Sequence, residues 1–121
     1  MELKAKSIRA FIGAKDYNES RQFYNELGFE EVVIDNSMSL FRVNDQLSFY
    51  LQNAYVKKWV DNSMLFLEVD DPEACRVLFL SKNLVEKYKY VRISEVRYEA
   101  WGSEFFMHDP SGVLWHVGKF N

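Results

Sequence analysis

The sequence contains a single cysteine, Cys75, so no disulfide can form within the chain. Such sparing use of cysteine fits a reducing compartment. Only two histidines are present, His108 and His116. No apolar run approaches the roughly 18 residues needed to span a membrane. No Lys/Arg cluster exceeds two adjacent residues, so the footprint of a nucleic-acid-binding protein is missing. The opening segment, Met1 to Phe11, lacks the apolar stretch of a secretory signal. The expectation is a soluble, cytoplasmic protein without nucleic-acid or membrane partners.

What is present is ordinary in balance and rich in rings. The 121 residues are 48% hydrophobic, 27% charged and 17% aromatic, with a net charge of −3. That length suits one domain, 1–121. Aromatic side chains carry large buried area, so a chain this small can still build a core. The mildly acidic balance mostly serves solubility and is compatible with neutral or cationic small molecules.

Along the chain, one pattern occurs twice. Ser7 to Ala14 alternates as a strand. Asp16 then caps a helix over Tyr17–Leu27, with Glu19 at the capping-box spacing and Gly28 as its stop. Three short strands follow, Phe29–Ile34, Met38–Val43 and Leu47–Gln52, separated by the tight polar turns Asp35-Asn36 and Asn44-Asp45. Ala54 to Asn62 reads as a connector. The pattern restarts with a strand over Met64–Val69. Asp71 is a second cap, with Pro72 at the first helical position, where its missing N–H costs nothing. Helical spacing runs from Ala74 to Tyr88. Strands follow over Val91–Tyr98, Glu104–His108 and Val113–Lys119, the last two joined by the turn Asp109-Pro110-Ser111-Gly112.

The order is β-α-β-β-β twice, over halves of about 7–53 and 63–120. Asp16 and Asp71 occupy equivalent places. The fold class is therefore α+β: two paired βαβββ modules forming open, cup-shaped mixed sheets with helices on their outer faces. Each helix must cover one sheet face to bury both apolar surfaces, which leaves the other face concave. Concave, partly apolar surfaces suit small ligands.

Three stretches carry a family resemblance. They are Lys15-Asp16…Ser20-Arg21-Gln22-Phe23-Tyr24…Leu27-Gly28-Phe29, then Phe66-Leu67-Glu68-Val69-Asp70-Asp71, then Trp101-Gly102-Ser103-Glu104-Phe105 through Asp109-Pro110-Ser111-Gly112 to His116. Together they resemble the glyoxalase/bleomycin resistance protein/extradiol dioxygenase (vicinal oxygen chelate) superfamily. The third stretch is most similar to its bleomycin-resistance branch. The resemblance implies a bacterial homodimer whose cups form across two chains.

Metal-dependent members of that superfamily use His, Gln or Glu drawn from four strands. Carried over, those positions fall on Arg9, Met64 and His116. A guanidinium offers no lone pair, and a thioether is a weak ligand. No metal, cofactor or catalytic residue is expected, which leans against an enzyme without deciding the matter. Trp101 resembles the aromatic that stacks on the planar antibiotic in the binding branch. Its partner position falls on Met38, which can cover a ring but cannot stack like one.

The expected ligand-binding set is Arg9, Met38, Met64, Glu68, Trp101 and His116, for a planar or cationic small molecule. Arg9 and Glu68 either pair across the cup to orient that ligand or form an internal ion pair. Sequestration of a compound such as an antibiotic is the leading expectation. A glyoxalase-like lyase or isomerase, with Glu68 or His116 as base, is the alternative. A structural dimer with a cup filled by side chains is a third. Cys75 is expected in the core, His108 beside its turn, and Trp59 on a dimer seam.

Overall fold

The computed structural model describes residues 2–121. The first half comprises β1 (Phe11–Gly13), α1 (Tyr17–Leu27), β2 (Glu30–Asp35), β3 (Met38–Arg42) and β4 (Ser48–Gln52). A short helix, α2 (Lys57–Asp61), lies in the connector. The second half comprises β5 (Met64–Glu68), α3 (Pro72–Leu80), α4 (Leu84–Lys87), β6 (Arg92–Ile93), β7 (Arg97–Glu99), β8 (Gly102–His108) and β9 (Leu114–Phe120).

Two open mixed sheets result. The first has the order β1-β4-β3-β2. In the second, β5-β9-β8-β6 run in order and β7 also pairs with β8. In each half the opening strand lies parallel to the last one, with Phe11 beside Tyr50 and Phe66 beside His116. The two halves therefore repeat one topology, as the spacing of the caps predicts.

Local chemistry sets the helix ends. Asp16 accepts a hydrogen bond from the Glu19 N–H, and Asp71 accepts one from the Ala74 N–H. Both aspartates satisfy a donor that the first helical turn leaves orphaned. Gly28 ends α1 with φ 113°, a left-handed conformation that a residue with a Cβ rarely adopts.

Three sequence expectations are revised. Residues 2–10 are exposed and make no regular element, so β1 begins four residues later than the alternation suggests. The second helix is broken at Asn83, whose φ is 57°, giving α3 and α4. The strand expected over Val91–Tyr98 is two short ones, both paired to β8.

One apolar cluster joins both halves. From α1 it takes Phe23, Tyr24 and Leu27, from the first sheet Phe41, Phe49 and Leu51, and from the second Phe105, Trp115 and Val117. Tyr24 sits at its centre, within 6 Å of the rings of Phe29, Phe41, Phe49 and Trp115. Its hydroxyl donates to Asp109 Oδ2 at 2.7 Å and accepts from Trp115 Nε1 at 2.9 Å. Asp109 Oδ1 in turn accepts the N–H groups of Ser111, Gly112 and Val113, each at 2.9 Å. A side chain of the first half thus organises the last turn of the second. Cys75 packs half-buried against this core, and Trp59 is exposed.

Candidate functional site: two uncovered sheet faces

Strand alternation divides each sheet into a face that joins the core and a face that does not. On β8, Ser103, Phe105 and Met107 are buried, while Glu104, Phe106 and His108 are half-buried on the other side. On β9, Trp115 and Val117 are buried, and Leu114 and His116 alternate with them. On β5, Leu65 and Leu67 pack towards the core while Met64, Phe66 and Glu68 are exposed.

The register places these outward residues in rows. Met64, Leu114, His108 and Arg92 are cross-strand neighbours, and so are Phe66, His116 and Phe106. The third row runs from Glu68 across Gly118 to Glu104 and Arg97.

The middle of this face is aromatic. Phe66 lies nearly parallel to the His116 ring at 6.1 Å and to Phe120 at 5.4 Å. Trp101 lies 5.4 Å from Phe120 and 6.2 Å from Phe66. Phe106 meets the His116 ring edge-on at 5.1 Å. Trp101 is 38% exposed, Phe66 43% and Phe120 56%, so three large rings form a cluster left open by the described residues. Contiguous exposed apolar surface of this kind marks a binding site more often than chance packing. His116 Nδ1 lies 2.7 Å from Glu104 Oε1, so a carboxylate fixes the imidazole orientation.

The uncovered face of the first sheet carries Met38, Leu40, Tyr50 and Gln52. Phe11 stacks on Tyr50 at 4.7 Å. Arg9 Nη1 donates to the Tyr50 hydroxyl at 3.0 Å, and its guanidinium lies 5.8 Å from that ring.

The six expected ligand-binding residues are therefore split between two surfaces. Met64, Glu68, Trp101 and His116 share the outward side of the second sheet. Met38 belongs to the first, and Arg9, bonded there to Tyr50, also lines a concavity of about 320 Å³ with Phe66 of the second. The expected Arg9–Glu68 pairing is corrected: Arg9 reaches Tyr50, on the sheet whose own strand β1 it precedes, and Glu68 lies at the edge of the other sheet. Both sheets contribute the faces opposite to these to one shared core.

Residues that the sequence reading missed include Glu104, Phe106 and Phe120. Alternation on β8, counted back from the Asp109–Gly112 turn, places Glu104 on the same face as His116 and would have found it.

The residues onto which the sequence resemblance carries the metal positions, Arg9, Met64 and His116, do not suit a divalent ion. Arg9 has no lone pair and lies with Tyr50, Met64 is an exposed thioether, and His116 Nδ1 is taken by Glu104. Among the described residues, no three His, Cys, Asp or Glu side chains form a group that could hold a metal. Nor is any helix long and apolar enough to cross a membrane.

Compared with protein families and with curated protein sequences, the chain has no match. Solved structures match over its whole length. A bleomycin-binding protein from bleomycin-producing Streptomyces verticillus, complexed with copper(II)-bleomycin, superposes with a TM-score of 0.81 at 21% identity, covering 99% of this chain and 100% of that one. A transposon-encoded bleomycin resistance determinant gives 0.78 at 21% identity, covering 97% and 99%. A glyoxylase/bleomycin resistance protein/dioxygenase domain from Frankia sp. EAN1pec gives 0.72 at 13% identity, covering 99% and 100%. The resemblance carried by the three sequence stretches is matched in three dimensions: this chain has the fold of the bleomycin-binding and glyoxalase/bleomycin resistance/dioxygenase proteins.

Proposed function

We propose that this chain is a binding protein that sequesters a planar or cationic small molecule, of the antibiotic class, without a catalytic metal. The observation that carries this reading is the uncovered aromatic cluster of Phe66, Trp101 and Phe120, bordered by His116 and by the carboxylates Glu68 and Glu104. Flat aromatic surface attracts planar and cationic groups, and flanking carboxylates favour positive charge. Sequestration needs shape and stacking rather than a nucleophile, and the site offers the former.

In this reading each chain supplies one wall of the site. A homodimer would set the first-sheet face of one protomer, with Arg9, Met38 and Tyr50, over the second-sheet face of its partner. The exposed apolar residues Leu3 and Ile8, in the arm before β1, fit burial against a second copy. The single half-buried cysteine is in keeping with a place in the bacterial cytoplasm.

Calorimetry against copper(II)-bleomycin and a panel of planar cations tests the reading, with Trp101 fluorescence as a second signal. Saturable binding at one site per protomer is expected. No saturable binding across the panel would overturn it. Sedimentation that shows only monomer at the binding concentration would remove the two-chain site.

A second reading, a lyase or isomerase, is favoured by one contact, the Glu104–His116 pair. A carboxylate-oriented imidazole can act as a general base. Stoichiometric divalent metal in the purified protein, or turnover of an α-hydroxycarbonyl substrate abolished in His116→Ala, would establish it.

A further inference from the structure

A second concavity, of about 470 Å³, lies where four connecting segments meet beyond the end of the second sheet. Lys15 comes from the β1–α1 loop and Tyr55 from the segment after β4. Lys89 and Tyr90 come from the segment after α4. Arg92 opens β6, His108 ends β8, and the Pro110–Gly112 turn completes the wall. The volume is within the range of small-ligand pockets and far exceeds a bare inorganic anion.

Its charge runs against the balance of the chain. The protein carries 18 acidic and 15 basic residues, yet three cations and no carboxylate line this space. Among the described residues, Lys15, Lys89 and Arg92 take part in none of the salt bridges. Two carboxylates approach the turn, and both are engaged elsewhere. Asp109 faces inward to Tyr24, and Asp61 is held by Lys57. Three cations left without partners around one concavity repel one another, and an anion relieves that repulsion.

The remaining groups define what else the ligand carries. His108 stands directly opposite Arg92 across the β6–β8 ladder. Burial, then the Arg92 charge, holds its imidazole below the usual histidine range, so it is neutral near pH 7 and can donate or accept. Tyr55 and Tyr90 present partly exposed rings, and Lys89 Nζ lies 5.4 Å from the Tyr90 ring centroid. Aromatic walls beside fixed cations suit a planar ring bearing an anionic group.

We propose that this concavity binds a small aromatic anion, a phosphate or carboxylate carried on a planar ring, at a site separate from the aromatic cluster on the second sheet. Lys15, Lys89 and Arg92 hold the anionic group, His108 hydrogen-bonds it, and Tyr55 and Tyr90 flank the ring. This site prefers anions and the sheet face prefers cations, so the two readings stand or fall separately.

The test titrates the full chain with phenyl phosphate, benzoate and inorganic phosphate, by calorimetry and by NMR of the two imidazoles. Saturable binding of phenyl phosphate or benzoate with Kd below about 1 mM is expected. Whichever binds tighter identifies the anionic group, and inorganic phosphate alone binds weaker than either. Lys89→Gln and Arg92→Gln, both at exposed positions, each weaken binding roughly fivefold to tenfold at unchanged Tm, as does raised salt. The His108 signal shifts and its pKa rises on saturation, while His116 and Trp101 fluorescence stay unchanged. The proposal is overturned if no probe binds saturably up to about 10 mM, or if both variants bind like the parent. It is equally overturned if the probes perturb His116 and Trp101 instead of His108.

Discussion

Replacing Tyr24 by phenylalanine isolates a polar link that passes through the core between the two halves. The ring stays, so its packing against Phe41, Phe49 and Trp115 is preserved. Only the hydroxyl goes, and two groups lose their partner. Trp115 Nε1 loses its acceptor, and Asp109 Oδ2 loses its donor. Trp115 and Asp109 are 2% and 0% exposed, so water cannot take over. A buried polar group left unpaired costs about 1–3 kcal/mol, more where it is charged. The expected loss is therefore about 3 kcal/mol. With an unfolding entropy of about 2.1 cal/mol/K per residue, that lowers Tm by about 12 °C for a chain of this size.

The loss also depends on pH. Burial pushes the Asp109 carboxyl up to about 6, against the pull of Tyr24 and the three backbone N–H groups. In the unfolded chain the same group titrates near 3.9. The folded state therefore binds the extra proton between about pH 4 and 6, and the parent protein loses stability as pH rises through that window. The difference of about two units corresponds to about 3 kcal/mol. Removing the Tyr24 donor makes the ionised form worse still, so the variant's deficit is larger at pH 8 than at pH 5. Urea unfolding of both proteins at the two pH values measures it. A deficit under about 1 kcal/mol, or one equal at both pH values, would refute the reasoning.

Three further expectations are simpler to check. In Gly102→Ala a Cβ would lie 2.0 Å from the Lys119 carbonyl oxygen, so β8 and β9 must part; a loss of about 3 kcal/mol or insoluble expression is expected, and an unchanged Tm contradicts the register. Trp101→Ala removes a partly exposed ring, so Tm should move by only a few degrees while affinity for a sheet-face ligand falls at least roughly tenfold; calorimetry and thermal scans read both. Burial pushes the Cys75 thiol up, so a disulfide reagent should label the folded protein much more slowly at pH 7.5 than the urea-unfolded chain.

The sequence signals that held were local. Asp16, Asp71, Pro72 and Gly28 act within one helical turn, and their chemistry is complete in the residues beside them. The 55-residue spacing of the two caps was enough to reveal the repeated topology. What stayed hidden depends on distance along the chain. Tyr24 meets Asp109 and Trp115 across 85 and 91 positions, and nothing local marks those three as partners. The arm before β1 alternates like a strand, yet only Phe11–Gly13 find partners in β4, so alternation alone overstated its length. The break at Asn83 hides inside continuous helical spacing, because a left-handed asparagine leaves the apolar period nearly intact. The site residues were legible singly and illegible as a set. Alternation gave each side chain its face, while the division of Met38 from Met64, Glu68, Trp101 and His116 follows from which distant strands pair into each sheet.

That division has a genetic consequence. In a dimer of the proposed kind, each of two equivalent sites takes one wall from either copy. A protein damaged on its first-sheet face and another damaged on its second would each be inactive when made alone. Made together, their mixed dimer would contain one site with both walls intact and one with neither. Two defective alleles would then complement each other to about half of the sites in every mixed dimer.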